Sequence, residues 1–188
     1  MNKNNFIAHL SGIASLSISL KENLYKLLEE ESYKPRQILF SPGQLENRLC
    51  FIEKGFARNY YYDELGQDHT VKFWGSNDIL LSYRGYWSQP AYYYTEIMEE
   101  STLVSLRYDD LRSLLITFPE ASVLVKTILN QYHDEENQKQ RLITLSAEQR
   151  FQELRKHNRA VFQKVPLKII ASYLNMSRET LSRMISKD

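Results

Sequence analysis

Hydrophobic and polar positions follow three successive patterns along the chain. Between Leu20 and Leu28 leucines recur at helical spacing, which predicts an amphipathic helix. From Pro35 to Arg107 short apolar and aromatic runs alternate with turn residues, which is typical of strands. Helical spacing returns after Pro119. We therefore predict an α+β protein in which helices lie before and after a β segment.

Two motifs of the S/T-x-x-E/Q type predict where helices begin. In this capping box a hydroxyl bonds the backbone of the first helical turn and the third residue after it bonds back. Ser19 and Glu22 form one such pair, and Ser146 and Gln149 form the other. The second pair predicts a helix from Ala147 to His157.

Five strands are predicted within the β segment. They are rich in β-branched and aromatic residues and are separated by turns such as Ser41–Gly43 and Asp63–Gly66. Many short strands at this spacing favour a sandwich or barrel. The predicted strands are Cys50–Glu53, Ala57–Tyr62, Thr70–Trp74, Tyr92–Met98 and Thr102–Arg107.

Residues 167–185 are predicted to form two short helices joined by a tight turn. Asn175 tolerates the left-handed backbone that such a turn requires, and Ser177 is a suitable N-cap for the second helix. The apolar residues of each helix recur at helical spacing and should pack against the other helix. These residues are Ile170, Ala171 and Leu174 in the first helix and Leu181, Met184 and Ile185 in the second.

The residues left exposed on the second helix suit recognition of DNA bases. Arginine can bond the O6 and N7 atoms of guanine together, and glutamate accepts from the cytosine amino group. Short hydroxyl side chains and the N–H groups at a helix start suit phosphate oxygens, and a lysine such as Lys168 can contact phosphate as well. A terminal helix whose charges are merely solvated is the simpler alternative. We predict base contacts from Arg178, Glu179 and Arg183 and phosphate contacts from Lys168, Ser177, Thr180 and Ser182.

The charge distribution supports this interpretation. The net charge of +1 divides unevenly, because residues 138–188 hold 11 Lys and Arg against 4 Asp and Glu. Residues 1–137 hold 13 Lys and Arg against 19 Asp and Glu. A polyanion would bind at the positive end, although random clustering could also give such an asymmetry.

The segment from Ile170 to Leu174 and the run Ser177-Arg-Glu-Thr-Leu-Ser-Arg183 resemble the helix-turn-helix of the Crp/Fnr family of bacterial transcription regulators. The resemblance implies a cyclic-nucleotide-binding-like β-roll (jelly roll) sensor in 1–118, a dimerisation helix in 119–145 and a winged-helix-like DNA-binding domain in 146–188. It also implies that the partners are double-stranded DNA, a second copy of the chain and RNA polymerase, and that Arg178, Glu179 and Arg183 contact bases.

The long helix after Pro119 could pair with its symmetry mate. Apolar residues recur there every three or four positions, as in a coiled-coil seam. Residues 133–141 are strongly polar and would weaken the seam, so a solvated linker helix is the alternative. The seam residues are Ala121, Val125, Ile128, Tyr132 and Leu142.

The chain departs from the resembled family where cyclic AMP would bind. The family's Gly-Glu-Leu segment and Arg-Ser or Arg-Ala pair are matched by Leu81–Tyr83 and Pro90–Ala91, which carry no charge. A buried phosphate without an arginine would cost several kcal/mol. Arg84 is the nearby substitute, and a surface role for it is the simpler interpretation. We expect that cyclic AMP does not bind with useful affinity.

Aromatic residues are concentrated in the same region, from Tyr83 to Tyr94. They could form a pocket for an unknown planar or apolar effector, with Tyr83, Arg84, Trp87 and Tyr93 as its candidate residues. Ordinary packing is the favoured alternative, because consecutive residues on a strand point to opposite faces and cannot all line one cavity.

Several function classes lack the residues they need. The single cysteine, Cys50, excludes an intrachain disulfide framework and an iron–sulfur sensor, and its apolar neighbours predict a small buried side chain. The histidines form no His-x-His pair, which argues against a cupin-like metalloenzyme. We predict no catalytic residues, metal or cofactor. A ligand-binding or protein-interaction module without DNA binding stays open as the second hypothesis.

The amino-terminal segment bears on whether the protein is exported, because a signal peptide would lie there. The stretch from Phe6 to Leu20 has the length of a signal-peptide core, but His9, Gly12 and several serines interrupt it. No stretch approaches the ~18 apolar residues that span a membrane. We therefore expect mature cytoplasmic protein that does not bind membranes.

Overall fold

The computed structural model describes residues 2–187. Met1 and Asp188, the first and last residues of the predicted domains 1–118 and 146–188, lie outside the described residues. Two antiparallel four-stranded sheets and helices before and after them make up this part of the chain. The helices are Asn2–Ile13 (α1), Ile18–Leu27 (α2), Tyr83–Tyr86 (α3), Tyr108–Thr117 (α4), Glu120–Thr144 (α5), Ala147–His157 (α6), Val161–Lys164 (α7), Leu167–Tyr173 (α8) and Arg178–Ser186 (α9). The strands are Glu29–Tyr33 (β1), Ile38–Phe40 (β2), Arg48–Lys54 (β3), Ala57–Tyr62 (β4), Asp68–Trp74 (β5), Ile79–Leu80 (β6), Tyr94–Ile97 (β7) and Ser101–Arg107 (β8).

The two sheets form a β-roll. One sheet has the order β1-β8-β3-β6 and the other β2-β7-β4-β5. The predicted α+β class and β-roll are confirmed. Side chains that alternate along β3 explain the packing, since Cys50 and Ile52 lie between the sheets whereas Leu49 and Phe51 pack against the helices. Cys50 is fully buried, as predicted.

The connection from β3 to β4 requires glycine. Gly55 has φ +133°, a conformation that side-chain-bearing residues rarely adopt. A Cβ atom at this position would lie 2.0 Å from Ser101 Oγ. The same serine hydroxyl accepts a hydrogen bond from the Phe56 backbone, so the close approach fixes the turn against β8.

Several predicted elements need correction at their ends. Ser19 lies inside α2, and the N-cap is Ser17, whose hydroxyl accepts from Leu20 N and donates to Glu120 of α5. The predicted capping box at Ser19 is therefore wrong. Strand β1 precedes Pro35 and was not predicted, because its Glu-Glu-Glu-Ser-Tyr sequence shows no alternation of apolar and polar residues. It lies at a sheet edge, where polar side chains can face water.

Other boundaries agree with the prediction. Strand β4 and helix α6 have the predicted bounds, and the Ser146 capping box is present with both of its hydrogen bonds. Pro119 stands directly before α5 as predicted. The short strands β2 and β6 were missed, since two or three residues give too little periodicity to identify a strand.

The apolar stripe of α5 packs against other helices of the same chain. Ala121, Val125 and Ile128 are 1%, 8% and 8% exposed and belong to the cluster formed with α1, α2 and α4. These residues were predicted to form a seam with a second copy. That part of the prediction is wrong, because the β-roll's own helices already cover them.

No helix within residues 2–187 is long and apolar enough to cross a membrane.

Candidate nucleic-acid interface and effector cavity

Helices α8 and α9, which we call the C-terminal helix pair, meet at a left-handed turn. Asn175 has φ +51°, the conformation its side chain was predicted to tolerate. The backbone N–H of Met176 donates to the carbonyl of Ala171 at 3.0 Å, which ends α8. The turn therefore redirects the chain within a few residues.

Helix α9 begins at a serine cap. The hydroxyl of Ser177 accepts from the backbone N–H of Thr180 at 3.1 Å, as predicted for an N-cap. The hydroxyls of Ser177 and Thr180 also lie 3.0 Å apart and share a hydrogen bond. Both groups thus lie at the positive end of the helix dipole, where an anion is stabilised.

A small core holds the C-terminal helix pair in position. The predicted residues Ile170, Ala171, Leu174 and Leu181 are all buried, and they pack against side chains of α6 and α7. Ile185 is 39% exposed, so its predicted packing onto α8 is wrong. It lies in the last turn of α9.

The exposed face of α9 carries the predicted base-contacting groups. Arg178, Glu179, Ser182 and Arg183 are all exposed. At about 100° per residue, Glu179 and Arg183 lie nearly opposite the buried Leu181, whereas Ser182 and Arg178 lie on its flanks. Arg178 Nε lies 3.7 Å from Glu179 Oε1, and Arg183 donates to Thr180 Oγ1 at 3.4 Å. The hydrogen bond from its own backbone N–H lowers the pKa of Glu179, so the carboxylate is ionised at neutral pH.

A surface groove joins this face to the start of α8. It has a volume of about 520 Å³, and its walls include Lys168, Arg178, Glu179 and Ser182. The structure thus brings four of the seven predicted DNA-contacting residues to one groove. Ser177, Thr180 and Arg183 do not line it and lie around the first turns of α9.

Contacts that the sequence did not predict fix the turn of the helix pair. Arg150 of α6 donates through Nη1 to the carbonyl of Leu145 at 2.6 Å and through Nη2 to that of Asn175 at 3.1 Å. One guanidinium therefore ties the end of α5 to the turn before α9. An arginine inside a charged helix gives no sequence signal for this role.

The C-terminal helix pair also lies against the β-roll. Ser172 of α8 accepts a hydrogen bond from Thr70 N at 2.9 Å and donates to the carbonyl of Asp68 at 3.0 Å. The rings of Phe73 and Tyr173 lie 4.9 Å apart. These contacts fix α8 to the edge strand β5.

Lys139 of α5 contacts α8 from the other side. Its Nζ lies 3.3 Å from the centre of the Tyr173 ring and donates to the Tyr173 carbonyl. Burial, reinforced by Arg150, lowers the pKa of Lys139 to about 7, although Glu136 opposes the shift. The amine is therefore partly neutral near physiological pH.

The aromatic region forms a second feature, a cavity of about 240 Å³. Of the four predicted effector residues, Tyr83, Arg84 and Tyr93 line it, whereas Trp87 is 56% exposed and lies outside it. The predicted strand from Tyr92 is shorter, since β7 begins at Tyr94. Tyr92 and Tyr93 therefore escape the strict alternation of a strand, and both line the cavity.

The segments Leu81–Tyr83 and Pro90–Ala91, compared above with cyclic-nucleotide contacts of the resembled family, make local hydrogen bonds in this structure. The hydroxyl of Ser82 accepts from Gly85 N at 3.0 Å and caps α3. Arg84 donates through Nε to the Pro90 carbonyl at 2.6 Å and stacks on the Tyr92 ring. These contacts hold the loop between α3 and β7.

Glu46 is a buried carboxyl in the cavity wall that no sequence pattern pointed to. It is 5% exposed. Burial raises the pKa of Glu46 to about 7, and the Ser82 hydroxyl partly offsets this shift. Among residues 2–187 no group of three or more His, Cys, Asp or Glu could hold a metal ion.

Comparisons with known proteins agree with this architecture. Residues 30–118 match the cyclic nucleotide-binding domain family. No curated protein matches the sequence.

The solved structures with a similar fold include transcription regulators. FixK2 from Bradyrhizobium japonicum has a TM-score of 0.74 and 16% identity over 85% of this chain and 83% of that one. A protein from Eubacterium rectale, assigned to the Crp/Fnr transcriptional regulators, has a TM-score of 0.72 and 16% identity over 92% and 83%. The c-di-GMP responsive regulator CLP from Xanthomonas campestris has a TM-score of 0.67 and 18% identity over 91% of each chain. The chain is therefore similar in fold to Crp/Fnr regulators, and its residues 30–118 match the cyclic nucleotide-binding domain family.

Proposed function

We propose that the chain is a sequence-specific DNA-binding transcription regulator rather than an enzyme. The observation that supports this most is the C-terminal helix pair, a helix-turn-helix in which α9 presents Arg178, Glu179 and Arg183 to solvent above a buried core. A helix held in this way fits the major groove. Residues 146–188 would form the DNA-binding domain, 119–145 the linker and 1–118 the sensor.

The assembly follows from the same proposal. Two copies would bind a near-palindromic operator in the cytoplasm and act on RNA polymerase, with double-stranded DNA as the common partner. Because Ala121, Val125 and Ile128 are covered within the chain, the two copies would pair through other surfaces. The outer face of α5, where Val123 is 55% exposed, is one surface available for this contact.

The sensor would respond to an unknown effector other than cyclic AMP or to none. Its cavity is lined by both the β-roll and α5, since Tyr132 and Glu136 of α5 contribute to the wall. Lys139 lies one helical turn further along α5 and contacts α8. A bound effector could therefore alter the position of the DNA-binding helices through α5.

The first test is salt-dependent binding to random duplex DNA. We expect the protein to bind a fluorescently labelled duplex at low salt, because the net positive charge of residues 138–188 would displace condensed cations. The logarithm of the affinity should fall linearly with the logarithm of salt concentration, with a slope of about −0.9 for each phosphate contacted. Fluorescence anisotropy measures both quantities.

The variant Lys168→Ala removes the groove cation that we assign to a phosphate and should make the slope shallower by about 1. Lys126→Ala, the same change at an exposed position of α5, is the matched control and should leave the slope unchanged. Absence of binding at the lowest salt would instead support the alternative, an effector-binding or protein-interaction module without DNA binding.

A further inference from the structure

Four tyrosines and two glutamates are among the residues that line the effector cavity. The rings of Tyr83 and Tyr132 are stacked with their centres 6.0 Å apart, and those of Tyr92 and Tyr93 meet edge to face at 6.4 Å. Glu46 and Glu136 contribute the two carboxyl groups of the wall. At about 240 Å³ the cavity is smaller than most drug-sized sites, so its ligand is small.

Glu46 is held in place inside this wall. It is 95% removed from solvent, and the Ser82 hydroxyl is its hydrogen-bonding neighbour. A Cβ atom on Gly85 would lie 2.1 Å from the Glu46 carbonyl, so glycine is needed for the close approach of α3. The carboxyl group is therefore built into the cavity wall.

The one arginine of the cavity is already engaged. Arg84 donates through Nε to the Pro90 carbonyl, and its guanidinium lies 3.8 Å from the centre of the Tyr92 ring. A phosphate placed here would face the carboxyl groups of Glu46 and Glu136 as well as this arginine. The two carboxyl groups therefore disfavour an anion in the cavity. The contact of Arg84 with the Tyr92 ring is an example of a cation bound on a ring of this wall.

We propose that this cavity binds a small organic cation, a protonated amine or a quaternary ammonium group, between the tyrosine rings and the carboxylates of Glu46 and Glu136. Tyrosine faces attract such cations, and a desolvated carboxylate supplies the opposite charge. The inference rests on the proposed sensor role and gives its effector a chemical class. The ligand would contact both the β-roll and α5.

Cation binding should depend on pH through Glu46. Burial raises the pKa of Glu46 to about 7, so below that pH the empty cavity holds a neutral carboxyl. A bound cation favours the ionised form, and the affinity should therefore fall up to about tenfold for each pH unit below 7. The titratable and charged groups around Glu46 are Cys50, Tyr83, Arg84, Tyr92, Tyr93, Tyr108, Tyr132 and Glu136.

The test compares probes of different charge by calorimetry on the full chain. We expect choline and phenylethylamine to bind saturably, and the uncharged carbon isostere of choline and cyclic AMP to bind at least about tenfold more weakly. Glu46→Gln keeps the shape of the side chain but should lower choline affinity about tenfold or more and abolish its pH dependence. Tyr83→Leu should lower it about threefold or more, because the ring is lost. Glu22→Gln, the same change on an exposed glutamate of α2, should have no effect.

Three outcomes would overturn the proposal. They are equal affinity for choline and its uncharged isostere, absence of saturable binding of both cations at millimolar concentration, and tighter binding of cyclic AMP that Arg84→Ala abolishes. DNA binding of the same preparations is measured separately. Intact DNA binding with no cation binding contradicts this inference alone, whereas loss of both contradicts the proposed function.

Discussion

Replacing Arg183 by alanine is expected to cost about 1–3 kcal/mol of binding to the preferred duplex and to relax the sequence preference at the base pairs it contacts. The arginine lies on the exposed face of α9, away from the buried Leu181. Its side chain is free to bond a guanine apart from the 3.4 Å contact with Thr180. Binding to random duplex should change little, because base contacts add nothing there. Anisotropy with both duplexes measures the difference.

Lys168→Ala provides the contrast within the same surface. Lys168 lies at the start of α8 in the groove wall, where it suits a phosphate. Its loss should weaken binding to both duplexes alike and make the salt slope shallower by about 1. Lys126→Ala, on the exposed side of α5, should alter neither quantity. If Arg183→Ala and Lys168→Ala act identically on preferred and random DNA, the division into base and phosphate contacts is wrong.

Raising the pH from 7 to 9 should stabilise the folded protein through Lys139. Its pKa is about 7 in the folded state against 10.5 without burial, so the unfolded chain binds more protons in this range. The free energy of unfolding should therefore rise by up to about 1.4 kcal/mol per pH unit. Below pH 7 the amine is charged in both states and this contribution is flat. Above pH 9 Cys50 acts in the opposite direction, since burial raises its pKa to about 12.

Lys139→Met tests this prediction. Methionine keeps the unbranched chain against Tyr173 but cannot be charged, so the variant should be more stable than the parent at pH 7 and should lose the rise towards pH 9. Lys126→Met makes the same change at an exposed position of α5 and should keep the rise. Urea unfolding at each pH gives the free energies. Equal pH slopes for the two variants would contradict the account of Lys139.

Features of this fold that depend on residues a few positions apart in the sequence were predictable from the sequence. Asn175 and Ser177 follow local rules for left-handed turns and helix caps, and both have the predicted conformation. The Ser146 box succeeded for the same reason. The similar motif at Ser19 failed because Ser17 makes the cap and also bonds Glu120, a partner more than 100 positions away.

Contacts between distant segments were not predictable. Ser172 gives no sign in the sequence that it bonds β5, and Lys139 looks like one more charge in a polar helix. The stripe from Ala121 to Ile128 had a recognisable period, but periodicity does not say which surface covers it. Glu46 was missed because its burial depends on the approach of Gly85. Single-sequence patterns describe one element at a time, whereas these roles arise where elements meet.

The most direct measurement of the central claim is selection of bound duplexes from a random DNA pool by the full chain. If α9 reads bases in a two-fold dimer, the selected sequences should share a near palindrome whose half-sites are centred about one helical turn, ~34 Å, apart. The protein with Arg178, Glu179 and Arg183 all changed to alanine should select no common sequence. A selected pool without any shared sequence, or the same sequence from both proteins, would contradict the proposal that α9 reads DNA.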